Sequence, residues 1–91
     1  MKPIKFQNTE SFERALNKAP IDIQDKVIEC LEKIKQGQRL RLHRLTDKRP
    51  PVWKFDVLPN KSWQVALRID GNVYTLLDLG THKYMDRKKS F

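Results

Sequence analysis

Apolar and polar positions alternate most clearly between Trp63 and Ile69, where Trp63, Val65, Leu67 and Ile69 interleave with Gln64, Ala66 and Arg68. A period of two is that of a strand with one buried face. Asp70-Gly71-Asn72 follows, with Gly71 free to take positive φ, and the run from Val73 to Leu79 returns as a partner strand. The faces discriminate between turn lengths. A two-residue turn sets Val73 and Leu77 behind Arg68 and Gln64, mixing apolar with polar. A three-residue loop at residues 70–72 pairs Ile69 with Val73, Val65 with Leu77 and Trp63 with Leu79. It also sets Arg68 opposite Tyr74 and Gln64 opposite Asp78. A slip of one residue exchanges the faces of a whole strand, so the three-residue register is the expected one.

Upstream, Pro3 to Gln7 reads as a short first strand with Ile4 and Phe6 inward, the proline fitting a strand start or an edge. Thr9 or Ser11 can cap a helix through about Lys18, with Phe12, Ala15 and Leu16 three and four apart. Pro20 ends it. A longer helix is predicted from about Ile21 to Gln36, with Ile23, Val27, Cys30, Leu31 and Ile34 in one apolar stripe. Asp22 and Asp25 suit its positive end, Lys33 and Lys35 its negative end, and Gly37 its left-handed cap. The stretch from Gln38 to Leu45 alternates basic and apolar residues. It is read as extended, with three leucines inward and Arg39, Arg41 and His43 delivered to one side. Pro50-Pro51 forbids a helix. Val52 to Val57 then forms a strand with Trp53, Phe55 and Val57 on the core side. The order strand, helix, helix and a three-strand meander predicts an α+β domain, β-α-α-β-β-β, with the helical hairpin packed on an antiparallel sheet.

Ninety-one residues make a single domain, 1–91, with residues 87–91 expected to be a frayed basic tail. No apolar run approaches the roughly 18 residues of a membrane span, and the start lacks a signal-peptide core. One cysteine excludes an internal disulfide framework and suits the cytoplasm. Through Ile34 there are six basic and six acidic residues; from Lys35 onward there are thirteen and five. The second segment therefore carries the whole net charge of +8. Such segregation points to a polyanionic partner, either nucleic acid or an acidic protein.

Several chemistries drop out. Two histidines and one cysteine at no ligand-like spacing make no metal site, and no cofactor is implied. No Gly-rich phosphate loop occurs. Cys30, on the apolar stripe, reads as a buried thiol rather than a nucleophile. Trp53, Phe55, Trp63 and Val65 read as core rather than a base-stacking platform.

Three motifs in this order resemble the RelE/ParE toxin superfamily of bacterial toxin–antitoxin systems. They are the helix end and basic segment "ECLEKIKQGQRLRLHRL", the aromatic strand "VWKFDV" followed by "SWQVALRI", and the ending "LLDLGTHKYMD". The likeness runs from about Phe6 to Asp86. It implies a cognate antitoxin, with an acidic, partly helical segment that wraps the toxin. In RelE-like members it implies cleavage of mRNA on the ribosome; ParE-like members act on DNA gyrase instead. A docking protein that cuts nothing, or a plain basic RNA-binding module, are the alternatives.

Metal-free RNA cleavage needs a base for the 2′-hydroxyl, an acid for the leaving 5′-oxygen, and cations for the phosphorane. His82 matches the position where RelE-like nucleases often keep a functional histidine or basic residue, and His43 is the other histidine. Tyr84 can stack on a base or donate to phosphate. Arg39, Arg41, Arg44, Lys83 and Arg87 are the candidate RNA and phosphate contacts. One position departs from the family. RelE-like nucleases commonly carry an arginine straight after the strand aromatic, where this chain has Gln64, with Asp78 and Asp56 as its expected neighbours. Arg68, at the hairpin tip, lies roughly 20 Å from His82 at about 3.3 Å per strand residue and cannot substitute.

Overall fold

The computed structural model describes residues 3–38, 42–45, 51–58 and 62–87. In chain order the elements are β1 (Lys5–Asn8), α1 (Glu10–Lys18), α2 (Ile21–Lys35), β2 (Leu42–Leu45), β3 (Val52–Asp56), β4 (Trp63–Asp70), β5 (Val73–Thr81) and α3 (His82–Arg87). Thr9 is the cap of α1: its hydroxyl accepts from the Phe12 amide at 3.2 Å. The same hydroxyl donates to the Leu76 carbonyl at 2.9 Å, tying the helix start to β5. At the end of α2, Gly37 takes φ +86°. The Gln38 and Gly37 amides then close on the Lys33 and Ile34 carbonyls, a Schellman closure.

Helix–helix–sheet packing is as the apolar stripes predict. Phe12 from α1 and Ile23, Val27, Cys30 and Ile34 from α2 share one buried cluster with Phe55, Val65, Leu67, Leu76 and Leu79 from the sheet. The sheet has five strands in the order β1-β5-β4-β3-β2. β1 lies parallel to β5, and the other pairs are antiparallel. The segment read only as extended is thus an edge strand in part, with Leu42 opposite Phe55 and His43 opposite Lys54. Leu40 lies outside the described residues.

The hairpin register corrects the expectation. Asp70 pairs with Val73 and Ile69 with Tyr74, so the turn has two residues, Gly71 (φ +61°) and Asn72. The mixing of faces that argued against it is removed by a bulge. The register shifts between Ala66 and Leu67, whose partners are Asp78 and Leu76, so Leu77 is the extra residue. Beyond it Val65 faces Leu79 and Gln64 faces Gly80. A bulge lets both halves of β5 keep apolar residues toward the helices, which a regular strand could do only with the longer turn.

The second correction is at the C-terminus. His82 to Arg87 is a short helix, and Arg87 is its last residue, not part of a tail; residues 88–91 lie outside the described residues. Met85 is buried against Val52 and Ala66, with Leu77 alongside. α3 therefore folds over the sheet face that α1 and α2 leave open, and Leu77, displaced by the bulge, helps to seat it.

Candidate functional site

The open face of the sheet gathers most of the described chemical groups. From β2, β3 and β4 come His43, Asp56 and Gln64. The Gln64 side chain is 3% exposed. Its Nε2 donates to Asp56 Oδ1 at 2.9 Å, and Asp56 Oδ2 stands 3.9 Å from His43 Nε2. Gln64 Oε1 is buried and has no hydrogen-bond partner among the described residues. An acceptor in that state costs about 1–3 kcal/mol and can be satisfied only by a donor brought to it.

From β5 and α3 come Asp78 and Tyr84. Asp78 is 2% exposed. Its Oδ1 accepts from the Leu79 amide at 2.8 Å and its Oδ2 from the Tyr84 hydroxyl at 2.7 Å. The ring of Tyr84 lies directly on Gly80: a Cβ there would overlap Tyr84 Cδ1 and stand 2.9–3.0 Å from Cε1 and Cγ. Glycine at residue 80 is thus a close-approach position, and φ plays no part in it. The two-residue turn and the bulge each shift the pairing by one, so Asp78 sits opposite Ala66 and not opposite Gln64. The expected Gln64–Asp78 neighbourhood is replaced by Gln64 with Gly80.

His82 opens α3, its amide bonded to the Ser62 carbonyl at 3.0 Å. The side chain is half-exposed, and Nδ1 lies 3.1 Å from Asp86 Oδ2, one helical turn on. A carboxylate at Nδ1 favours the tautomer with its proton there and leaves Nε2 for other partners. Asp86 is the group that sequence reasoning left unassigned; Asp56 was expected beside Gln64, where it lies, but its approach to His43 was not. Asp86 would have been found from its i,i+4 spacing to His82 had α3 been recognised; the approach of Asp56 to His43 required the β2–β3 register.

The remaining candidates divide. Lys83 and Arg87 are exposed on α3. Arg44 is exposed opposite Trp53, on the face away from His43, so the two neighbours point to opposite sides of the sheet. Arg39 and Arg41 lie outside the described residues. Cys30 is buried, and burial pushes its thiol pKa up. Among the described residues no cluster of three or more His, Cys, Asp or Glu could hold a metal ion, and no helix is long and apolar enough to cross a membrane.

No protein-family model matches the sequence, and no curated protein is similar to it in sequence. Solved structures are similar in fold. The toxin RelE of E. coli, a mutant in the free state, superposes with a TM-score of 0.73 at 11% identity, over 93% of this chain and 90% of that one. YafQ of E. coli gives 0.73 at 11% identity, over 90% and 97%. The RelB–RelE antitoxin–toxin complex of Methanococcus jannaschii gives 0.71 at 10% identity, over 88% and 94%. The fold of this chain is that of RelE-like toxins.

Proposed function

We propose that this chain is the toxin of a toxin–antitoxin pair and a metal-independent endonuclease of mRNA, acting on the ribosome to inhibit translation. The observation that carries the reading is His82, half-exposed just past β5 and oriented by Asp86, on a RelE-like fold. In this reading Nε2 of His82 moves the proton, either from the attacking 2′-hydroxyl or to the leaving oxygen. Lys83, Arg87 and the basic segment through Arg39 and Arg41 offset the phosphorane charge. His43, beside Asp56, is the second candidate for proton transfer. Tyr84 presents a ring for stacking. The partner is an acidic, partly helical antitoxin segment, matched to the net charge of +8 and suggested by the antitoxin-bound M. jannaschii neighbour. The reaction places the protein in the cytoplasm.

Expression with and without the neighbouring open reading frame, with transcript ends mapped, tests this. Growth arrest with new transcript ends is expected, both lost in His82→Ala. Asp86→Asn should keep the cut sites while lowering the rate. Arrest with intact transcripts would remove the nuclease assignment.

That last outcome belongs to a second reading with its own support. Asp56 and Asp78 flank the Gln64–Gly80 row on the open face, where carboxylates oppose a phosphate. A protein that inhibits by docking, to gyrase or to its antitoxin alone, needs no phosphate there.

A further inference from the structure

Gln64 is set too deep, at 3% exposed, to meet a phosphate itself. Its amide is spent on a neighbouring strand instead. β3 and β4 place Gln64 directly opposite Asp56, and Nε2 donates to Asp56 Oδ1 at 2.9 Å. β2 pairs His43 with Lys54, which makes Asp56, two residues along β3, the diagonal neighbour of His43 on the same face. There Asp56 Oδ2 stands 3.9 Å from His43 Nε2. The three side chains form a line across three strands, and exposure rises along it. The glutamine is buried, the aspartate side chain is 17% exposed and the imidazole 43%. The line is kept at a cost. With Nε2 turned to Asp56, Oε1 is buried without a partner among the described residues. A methionine of similar length would fill the same space with no polar atom to satisfy.

We propose that Gln64 is a positioning residue for His43, acting through Asp56. A carboxylate turns easily about its last bond. With Oδ1 held by the amide, Oδ2 keeps its aim at the imidazole. A carboxylate beside Nε2 draws the proton to that nitrogen and leaves Nδ1 to accept one from a substrate, the arrangement a positioned base requires. The 3.9 Å separation is longer than a hydrogen bond. Contacts of this kind are often long in a chain without its substrate and tighten in the bound state. The proton transfer so served rests on the nuclease reading above, with His43 as the group that makes it. The aim of the imidazole is a property of the free chain and is open to measurement without any cleavage.

Nitrogen NMR of the full chain, labelled at histidine and read where the imidazole is neutral, tests the positioning without ribosome or antitoxin. The parent should hold His43 with its proton on Nε2. Gln64→Met and Asp56→Ala should each move it toward the tautomer mixture of free histidine. Cleavage of a ribosome-bound transcript tests the consequence. Gln64→Met should lower kcat roughly tenfold to a hundredfold with KM unchanged, the scale of a misplaced catalytic group. In a His43→Gln background the same replacement should cost nothing more, because the glutamine has only the imidazole to act through. The urea midpoint of Gln64→Met should hold or rise, since the orphan Oε1 leaves with the amide. A His43 tautomer indifferent to Gln64→Met, or equal losses of rate with and without His43, would overturn the proposal. If the parent cuts no transcript, the nuclease reading fails on its own, and the tautomer still decides whether Gln64 positions His43.

Discussion

Gly80→Ala offers the sharpest test of how α3 is seated. At a strand position without positive φ, alanine should normally help, since glycine in a strand interior forfeits about 0.5–1 kcal/mol to chain entropy. Here the added methyl would overlap the Tyr84 ring. The ring must move, which breaks the 2.7 Å bond from its hydroxyl to Asp78 Oδ2. Removing a donor from a buried carboxylate costs about 1.5–3 kcal/mol, and forcing a methyl into packed space about 1–3. A net loss of about 3 kcal/mol is expected after the entropy gain, or roughly 15 °C in Tm for a domain of this size. Urea denaturation of four chains separates the causes: the parent, Gly80→Ala, Tyr84→Ala and the double variant. In the Tyr84→Ala background the ring is gone, so the glycine replacement should become neutral or stabilise by about 0.5 kcal/mol. If Gly80→Ala destabilises equally with and without the tyrosine, the ring is not what constrains residue 80, and the account of α3 fails.

Two further outcomes follow from the same structure. Thr9→Ala removes both the α1 cap and the tether to the Leu76 carbonyl; a loss of about 1–2 kcal/mol is expected in the urea midpoint, largely restored by Thr9→Ser. A Thr9→Ala chain as stable as the parent would show that the tether contributes nothing. Cys30, with its pKa raised chiefly by burial, should react slowly with iodoacetamide at pH 8 in the folded chain and rapidly in denaturant. Because the folded pKa is the higher one, the contribution of this thiol to stability is complete below the unfolded pKa. It is lost as pH rises through the folded value, so an alkaline fall in stability should be smaller in Cys30→Ala. Rapid native labelling would contradict the burial.

The helices α1 and α2, the strands β3 and β4 with their inward residues, and the presence of β5 were determined locally. Each is written in a period, a cap or a breaker that acts over four to eight residues: the stripe from Ile23 to Ile34, Thr9 ahead of Phe12, Gly37 after Lys35. The exposed position of His82 beyond β5 was legible for the same reason. The register of β5 was not, because the face argument assumed an unbroken strand. Whether a strand takes a longer turn or a bulge depends on what waits on its other face, and here Met85 and Ala66 receive Leu77. α3 has only six residues, too few for a periodicity to declare itself, and it is held by Thr81, Met85 and the Tyr84–Asp78 bond. The Asp56–Gln64 neighbourhood was legible, since the consecutive strands β3 and β4 set these two residues opposite each other, but the His43–Asp56 contact depends on β2 joining the sheet beside β3. Only the order in which strands lie side by side brings such groups together, because a sequence fixes which way each side chain faces along its own strand but not which strand will be its neighbour.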